Sequence, residues 1–167
     1  MRRFIPVILA VIVVVGAVFA AVTIRSPEKY FETQPTVSDS VVYIEINCKN
    51  VVGKSESAPE DGVILERSPV AYVDGDTVYD ALVRAAKTYG IALDVGGSAS
   101  HGAKYIRAIA EVREYDGGDL SGWEYCVNGV FPMTGCSAVD IAPGDEIRWL
   151  YTNDLGADVG NSFNADG

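Results

Sequence analysis

The chain has 167 residues, room for one domain with extensions at its ends. It carries 13 basic and 23 acidic side chains, a formal net charge of −10. Nucleic-acid binding depends on Lys and Arg neutralising phosphates, so this balance excludes it, and it also argues against docking on anionic lipid.

The apolar content of 49% is inflated by the N-terminus. Arg2 and Arg3 precede an uncharged run from Phe4 to Ile24, and Arg25 closes it. As a helix those residues reach roughly 31 Å, the thickness of a bilayer core. Residues 1–25 therefore read as a single-span membrane anchor. The alternative is a signal peptide cut after Ala20, since Val18-Phe19-Ala20 is an acceptable small-residue site. Both readings keep Arg2 and Arg3 in the cytoplasm and export the remainder to the extracellular side. Setting aside Arg2, Arg3 and Arg25 leaves 10 basic against 23 acidic residues in the exported part. Three cysteines, Cys48, Cys126 and Cys136, would then sit where disulfides persist. An odd count allows one bridge and one free thiol, or no bridge.

Residues 26–40 contain two prolines and little apolar content, and read as a stalk. Alternation begins at Val41, with Val42, Ile44, Ile46 and Cys48 on one face of a strand. Two short apolar runs follow, Val63–Leu65 and Val70–Val73, separated by Ser68-Pro69, which suggests an edge or a bulge. Thr77-x-x-Asp80 is a capping-box-like helix start. Val78, Leu82, Ala85, Ala86 and Tyr89 form the apolar stripe of that helix, and Gly90 is placed to end it. A Gly/Ser loop over 96–103 leads to an expected strand Tyr105–Val112.

Asp116-Gly117-Gly118-Asp119 turns the chain into Trp123–Val127. Asn128-Gly129 then stands between two strand-like runs, a strong hairpin signal because a type I′ turn needs positive φ at both positions. Ile147, Trp149 and Tyr151 alternate on a last strand, and 161–167 read as a disordered tail. One amphipathic helix must cover a sheet face to bury its stripe, which predicts an α+β domain of the β-grasp kind with a mixed sheet.

No catalytic constellation stands out, so the chain does not read as an enzyme. The only histidine, His101, lies in the Gly/Ser loop, and no C-x-x-C pair suggests zinc. Asp116 with Asp119, and Asp154 with Asp158, sit beside glycines as Asx-turn residues do. Calcium binding over Asn153–Asp158 matches no known loop spacing. What remains is aromatic: Trp123, Tyr125, Phe131, Pro132 and Met133, with Asn128 and Gly135 nearby. On a strand Trp123 and Tyr125 share a face and are candidates for either core or contact. Aromatics at a loop rim suit ligand binding rather than catalysis.

The stretch Ser121-Gly122-Trp123-Glu124-Tyr125-Cys126-Val127-Asn128-Gly129 is followed by Phe131-Pro132, Gly135-Cys136-Ser137 and Gly144–Trp149, and closes with Tyr151–Gly156. This combination resembles the family of unknown function numbered 4430, described as similar to the C-terminal domain of transcobalamin. Cys48-Lys49, Asp61–Leu65 and Gly75–Leu82 extend the resemblance over roughly 41–160. It implies an exported, surface-tethered β-grasp-like domain. By analogy with transcobalamin it implies a cobalamin or other corrinoid ligand contacted by Trp123, Tyr125, Asn128, Phe131, Pro132 and Met133, with a membrane transporter as the receiving partner. The alternative is a surface adhesion or protein-interaction module with no small ligand. Many members of the family carry cysteines where this chain has Gly117 and Asn153, a pattern that implies loss of one disulfide. Cys48–Cys136 is then the implied bridge, with Cys126–Cys136 its rival.

Overall fold

The computed structural model describes residues 40–97 and 104–161, all within one compact unit spanning Ser38–Gly167. The expected anchor over 1–25, the stalk up to residue 39 and His101 lie outside the described residues. Among those residues no helix is long and apolar enough to cross a membrane.

The alternation read from Val41 onward becomes β1, Val41–Asn47, with Val42, Ile44 and Ile46 fully buried on one face. β1 pairs antiparallel with β2, Val63–Ala71, and parallel with the last strand, β7, Glu146–Thr152. β7 in turn pairs antiparallel with β6, Gly122–Val127, giving a mixed four-stranded sheet ordered β2-β1-β7-β6. The two apolar runs expected around Ser68-Pro69 are one continuous strand. β2 lies at the sheet edge, where a missing N–H can face solvent, so Pro69 is tolerated opposite Tyr43. Register shifts beside Ile46 supply the expected irregularity on the β1 side.

The helix α1, Val78–Tyr89, begins as its sequence predicts. Thr77 caps the Asp80 N–H, and the Asp80 carboxylate accepts from the Thr77 N–H at 2.9 Å. Gly90 closes it in the left-handed conformation, φ 71°. Val78, Ala81, Leu82 and Ala85 pack with Val42, Ile44, Ile46, Ile147 and Trp149 in the main core. Burying a side chain such as Leu82 contributes about 1.5–3 kcal/mol. Tyr89 departs from the expected stripe: it is exposed, and its hydroxyl donates to the Pro69 carbonyl at 2.7 Å.

A second, three-stranded sheet was not foreseen. β3, Leu93–Gly97, pairs with β4, Lys104–Ile109, which pairs with β5, Val112–Arg113. The strand expected over Tyr105–Val112 is instead a hairpin, turning at Ala110 and Glu111 with φ of 51° and 67°. Neither residue type favours positive φ, so the turn carries no sequence signal. The β3–β5 sheet adds Ile106 and Ile109 to the main core. Val112 belongs to a smaller cluster with Cys48, Val51 and Tyr151.

The cysteine expectation is corrected. Cys48, Cys126 and Cys136 are all free and buried, so neither Cys48–Cys136 nor Cys126–Cys136 is bridged. Cys48 sits in the smaller cluster and Cys136 in the main one, and this separation leaves each thiol packed as a small apolar group. Burial pushes the Cys48 and Cys136 thiols up to about 11 and raises Cys126 as well. Asn161, expected to open a loose tail, is buried.

Candidate ligand-binding groove

β6 is the outermost strand on its side of the sheet, so one of its edges has no neighbouring strand. Trp123 and Tyr125 share its core-facing side. Tyr125 is 8% exposed, its ring lies 5.3 Å from that of Trp149, and its hydroxyl donates to the Thr134 carbonyl at 2.6 Å. Trp123 is half-buried, stands edge-on to Tyr151 at 5.3 Å and donates its indole N–H to the Val112 carbonyl at 2.9 Å. Both rings are thus fixed from behind by core partners.

After Val127 the chain reverses at Asn128-Gly129, with φ of 51° and 80° as a type I′ turn requires. The run that follows is not a second strand; it makes a single bridge, Val127 to Val130, and then passes through Pro132–Gly135. The Tyr125–Thr134 hydrogen bond holds this segment beside β6. Between them lies a groove of about 370 Å³. Trp123, Glu124 and Tyr125 form one wall, Pro132, Met133, Thr134 and Gly135 the other, and Asn161 joins them. Three consecutive strand residues can line one groove only if it follows the strand's free edge, because their side chains alternate between faces.

Four of the six residues expected to contact a ligand therefore meet: Trp123, Tyr125, Pro132 and Met133. Met133 is the most accessible, at 82% exposure. The other two lie elsewhere. Asn128 donates its amide to the Asp145 carboxylate at 2.8 Å and accepts from the Glu146 N–H at 2.9 Å, tying the turn to the start of β7. Phe131 is half-buried and outside the lining.

Two residues escaped the sequence reading, Glu124 and Asn161. Burial raises the Glu124 carboxyl above its ordinary range, and a hydrogen bond from Asn161 opposes that shift. Asn161 lies 37 positions away in sequence, and no local pattern announces the contact. Among the described residues Glu124 takes part in no ion pair, and no Lys, Arg or His lines the groove.

Of the four carboxylates in the two Asp pairs, Asp116 and Asp158 have structural occupations. Asp116 accepts from the Ser55 hydroxyl at 2.6 Å and the Arg113 N–H at 3.0 Å. Burial pushes the Asp158 carboxyl up, but hydrogen bonds from Thr152, the Asn153 N–H and Asn50 outweigh it and hold it low. A second depression of about 550 Å³, lined by Val83, Ala86, Ile91, Leu93 and neighbours, opens between the end of α1 and β3. It is wide open, and Lys87 is its only charged residue.

A family model described as "Domain of unknown function (DUF4430)" matches residues 75–153. Over these residues the chain is similar to this family. The DUF4430 match runs from Gly75, ahead of the α1 cap, to Asn153, just past β7, and is shorter than the 41–160 expected. It includes every groove residue except Asn161. No curated protein matches the chain. Among solved structures a crystal structure of haptocorrin in complex with Cbi is similar, at 17% identity and a TM-score of 0.44. The alignment covers 66% of this chain and 25% of the haptocorrin chain, so the present chain spans about a quarter of that protein. That likeness is too distant to carry a functional argument.

Proposed function

We propose that the DUF4430-like domain of this chain is a non-catalytic, extracytoplasmic small-molecule-binding module of β-grasp-like topology, tethered through its N-terminal segment. The observation that carries the reading is the groove beside β6. It combines an open depression of about 370 Å³, aromatic and apolar side chains and a comparable share of polar groups. Ligand sites typically occupy about 300–1,000 Å³ and also combine apolar with polar groups. The volume is at the lower end, so a large ligand would rest one face or one arm here.

A corrinoid is the first candidate, on the strength of the motif-level resemblance around Trp123–Gly129 and Phe131–Ser137. A broad apolar macrocycle rimmed by amides suits a wall of Trp123, Pro132 and Met133 with Thr134 and Asn161 at its margin. Delivery to a membrane transporter is the partner role this function implies. The test is titration of the purified full chain with cyanocobalamin and cobinamide, followed by tryptophan quenching and calorimetry. Saturable binding at micromolar concentration or tighter is expected. No binding up to millimolar concentration overturns the corrinoid and directs attention to a protein partner on the same exposed edge.

A further inference from the structure

We infer that the groove beside β6 is a cation site: Glu124 is its charged residue, and the ligand it takes carries an ammonium or guanidinium group on an apolar framework. This rests on reading the groove as a ligand site and adds the chemical class that the site selects.

Glu124 is half-buried, and its carboxylate accepts from Asn161 on the same groove wall. An ionised carboxylate offers about four acceptor positions, and the one Asn161 side chain leaves capacity for further donors. Three other acids that are buried or partly buried contrast with it, while Asp80, Glu114, Asp116 and Asp145 are met by neutral hydrogen-bond donors. Asp76 is paired with Arg84, Asp94 with Arg107 and Arg113, and Glu45 with Arg148. Glu124 has no cation among the described residues, although desolvation makes its charge costly. A charge held in that way gains most from a counter-ion delivered by a ligand.

The neighbouring groups favour the same sign. Trp123 and Tyr125 line the groove, and aromatic rings attract cations, more strongly as water is excluded. With no basic residue in the lining, a ligand carboxylate would meet repulsion from Glu124 and nothing to offset it. Pro132 and Met133 form the opposite wall and supply apolar contact for the framework bearing the cation. The formal charge of −10 adds long-range attraction for a cationic ligand.

The test uses three probes of one shape: 3-phenylpropylammonium, 3-phenylpropanol and 3-phenylpropionate. Each is titrated into the purified full chain at about pH 8, well above the ordinary carboxylate range, with the Trp123 indole N–H and Met133 methyl followed by NMR. The ammonium is expected to bind at least about tenfold tighter than the alcohol, with the carboxylate weakest. Glu124→Gln should erase the preference for the ammonium over the alcohol. Equal binding of ammonium and alcohol overturns the inference, as does a preference that survives in Glu124→Gln. Absence of saturable binding by all three probes to about 10 mM overturns it too. Corrinoid binding in that last case would leave the proposed function standing without the cation site, whereas failure of corrinoids alongside ammonium selectivity would remove only the corrinoid.

Discussion

Gly117 and Asn153 approach so closely that a β-carbon at 117 would lie 3.1 Å from the Asn153 Cγ and 2.0 Å from its Oδ1. These are the positions at which the family resemblance implies a cysteine pair absent from this chain. Asn153 Cγ occupies the place a cysteine sulfur would take, at the Cβ-to-sulfur spacing of a disulfide. The Gly117→Cys/Asn153→Cys double variant should therefore form a bridge without rearrangement. Closing that loop should stabilise by roughly 3 kcal/mol after loss of the Asn153–Asn50 hydrogen bond. Urea unfolding with and without reductant reads the difference, and thiol counting in denaturant reads the bridge. Gly117→Ala alone should cost about 1–3 kcal/mol, because its β-carbon would displace the Asn153 side chain from its hydrogen bond to Asn50.

Trp123 serves the core and the groove together, so Trp123→Ala confounds the two. We expect it to cost about 3–4 kcal/mol and to lower binding as well. Met133 separates them. Its side chain is 82% exposed, so Met133→Ala should change stability by less than about 0.5 kcal/mol while weakening any groove ligand. Unchanged affinity in a fully folded Met133→Ala protein would move the binding surface away from this loop.

Glu111 holds φ at 67° in the turn between β4 and β5. Glycine adopts that conformation without steric cost, and the ion pair lost, to Arg113 at 3.6 Å, is exposed. Glu111→Gly is therefore expected to raise stability by about 0.5–1 kcal/mol. Thermal or urea midpoints compared with the parent chain measure it, and a decrease would mean that the turn is not strained.

Asp76 accepts from Arg84 and from the Val73 N–H, and the hydrogen bond from Arg84 holds its carboxyl below the ordinary carboxylate range. A depressed native pKa stabilises at pH above the unfolded value of about 3.9, and that stabilisation is lost as pH falls through the lower native value. Asp76→Asn should therefore cost about 2–3 kcal/mol at neutral pH. The gap between variant and parent should narrow below about pH 4. A gap independent of pH would assign the loss to packing rather than to the ion pair.

The legible parts of this fold are those encoded within a few residues of one another. The Thr77–Asp80 box, the Gly90 stop and the Asn128-Gly129 turn each depend on side chains adjacent in sequence, and each appears where the pattern places it. Tertiary context defeated the pattern elsewhere. Ala110-Glu111 turns against its own propensity, because Ile109 and Val112 are drawn into core contacts on either side. Ser68-Pro69 read as a break because the sequence does not say that β2 lies at an edge. At the groove, the aromatic residues were visible as residue types. Glu124 was not, since its meaning comes from burial and from Asn161. Asn128 looked like a contact residue for the same chemistry that makes it a good turn residue, and the turn won.

The parallel pairing of β1 with β7 has a consequence for how the domain is made. Glu45 and Arg148, which pair across these strands, are separated by 103 positions. A ribosome adding about 5–20 residues each second leaves roughly 5–20 s between the two strands. During that interval β1, which becomes a central strand, has an open hydrogen-bonding edge on the side that β7 will fill. That edge of the nascent domain is therefore open to wrong partners until its last strand arrives, and any truncation before Glu146 forfeits closure of the sheet.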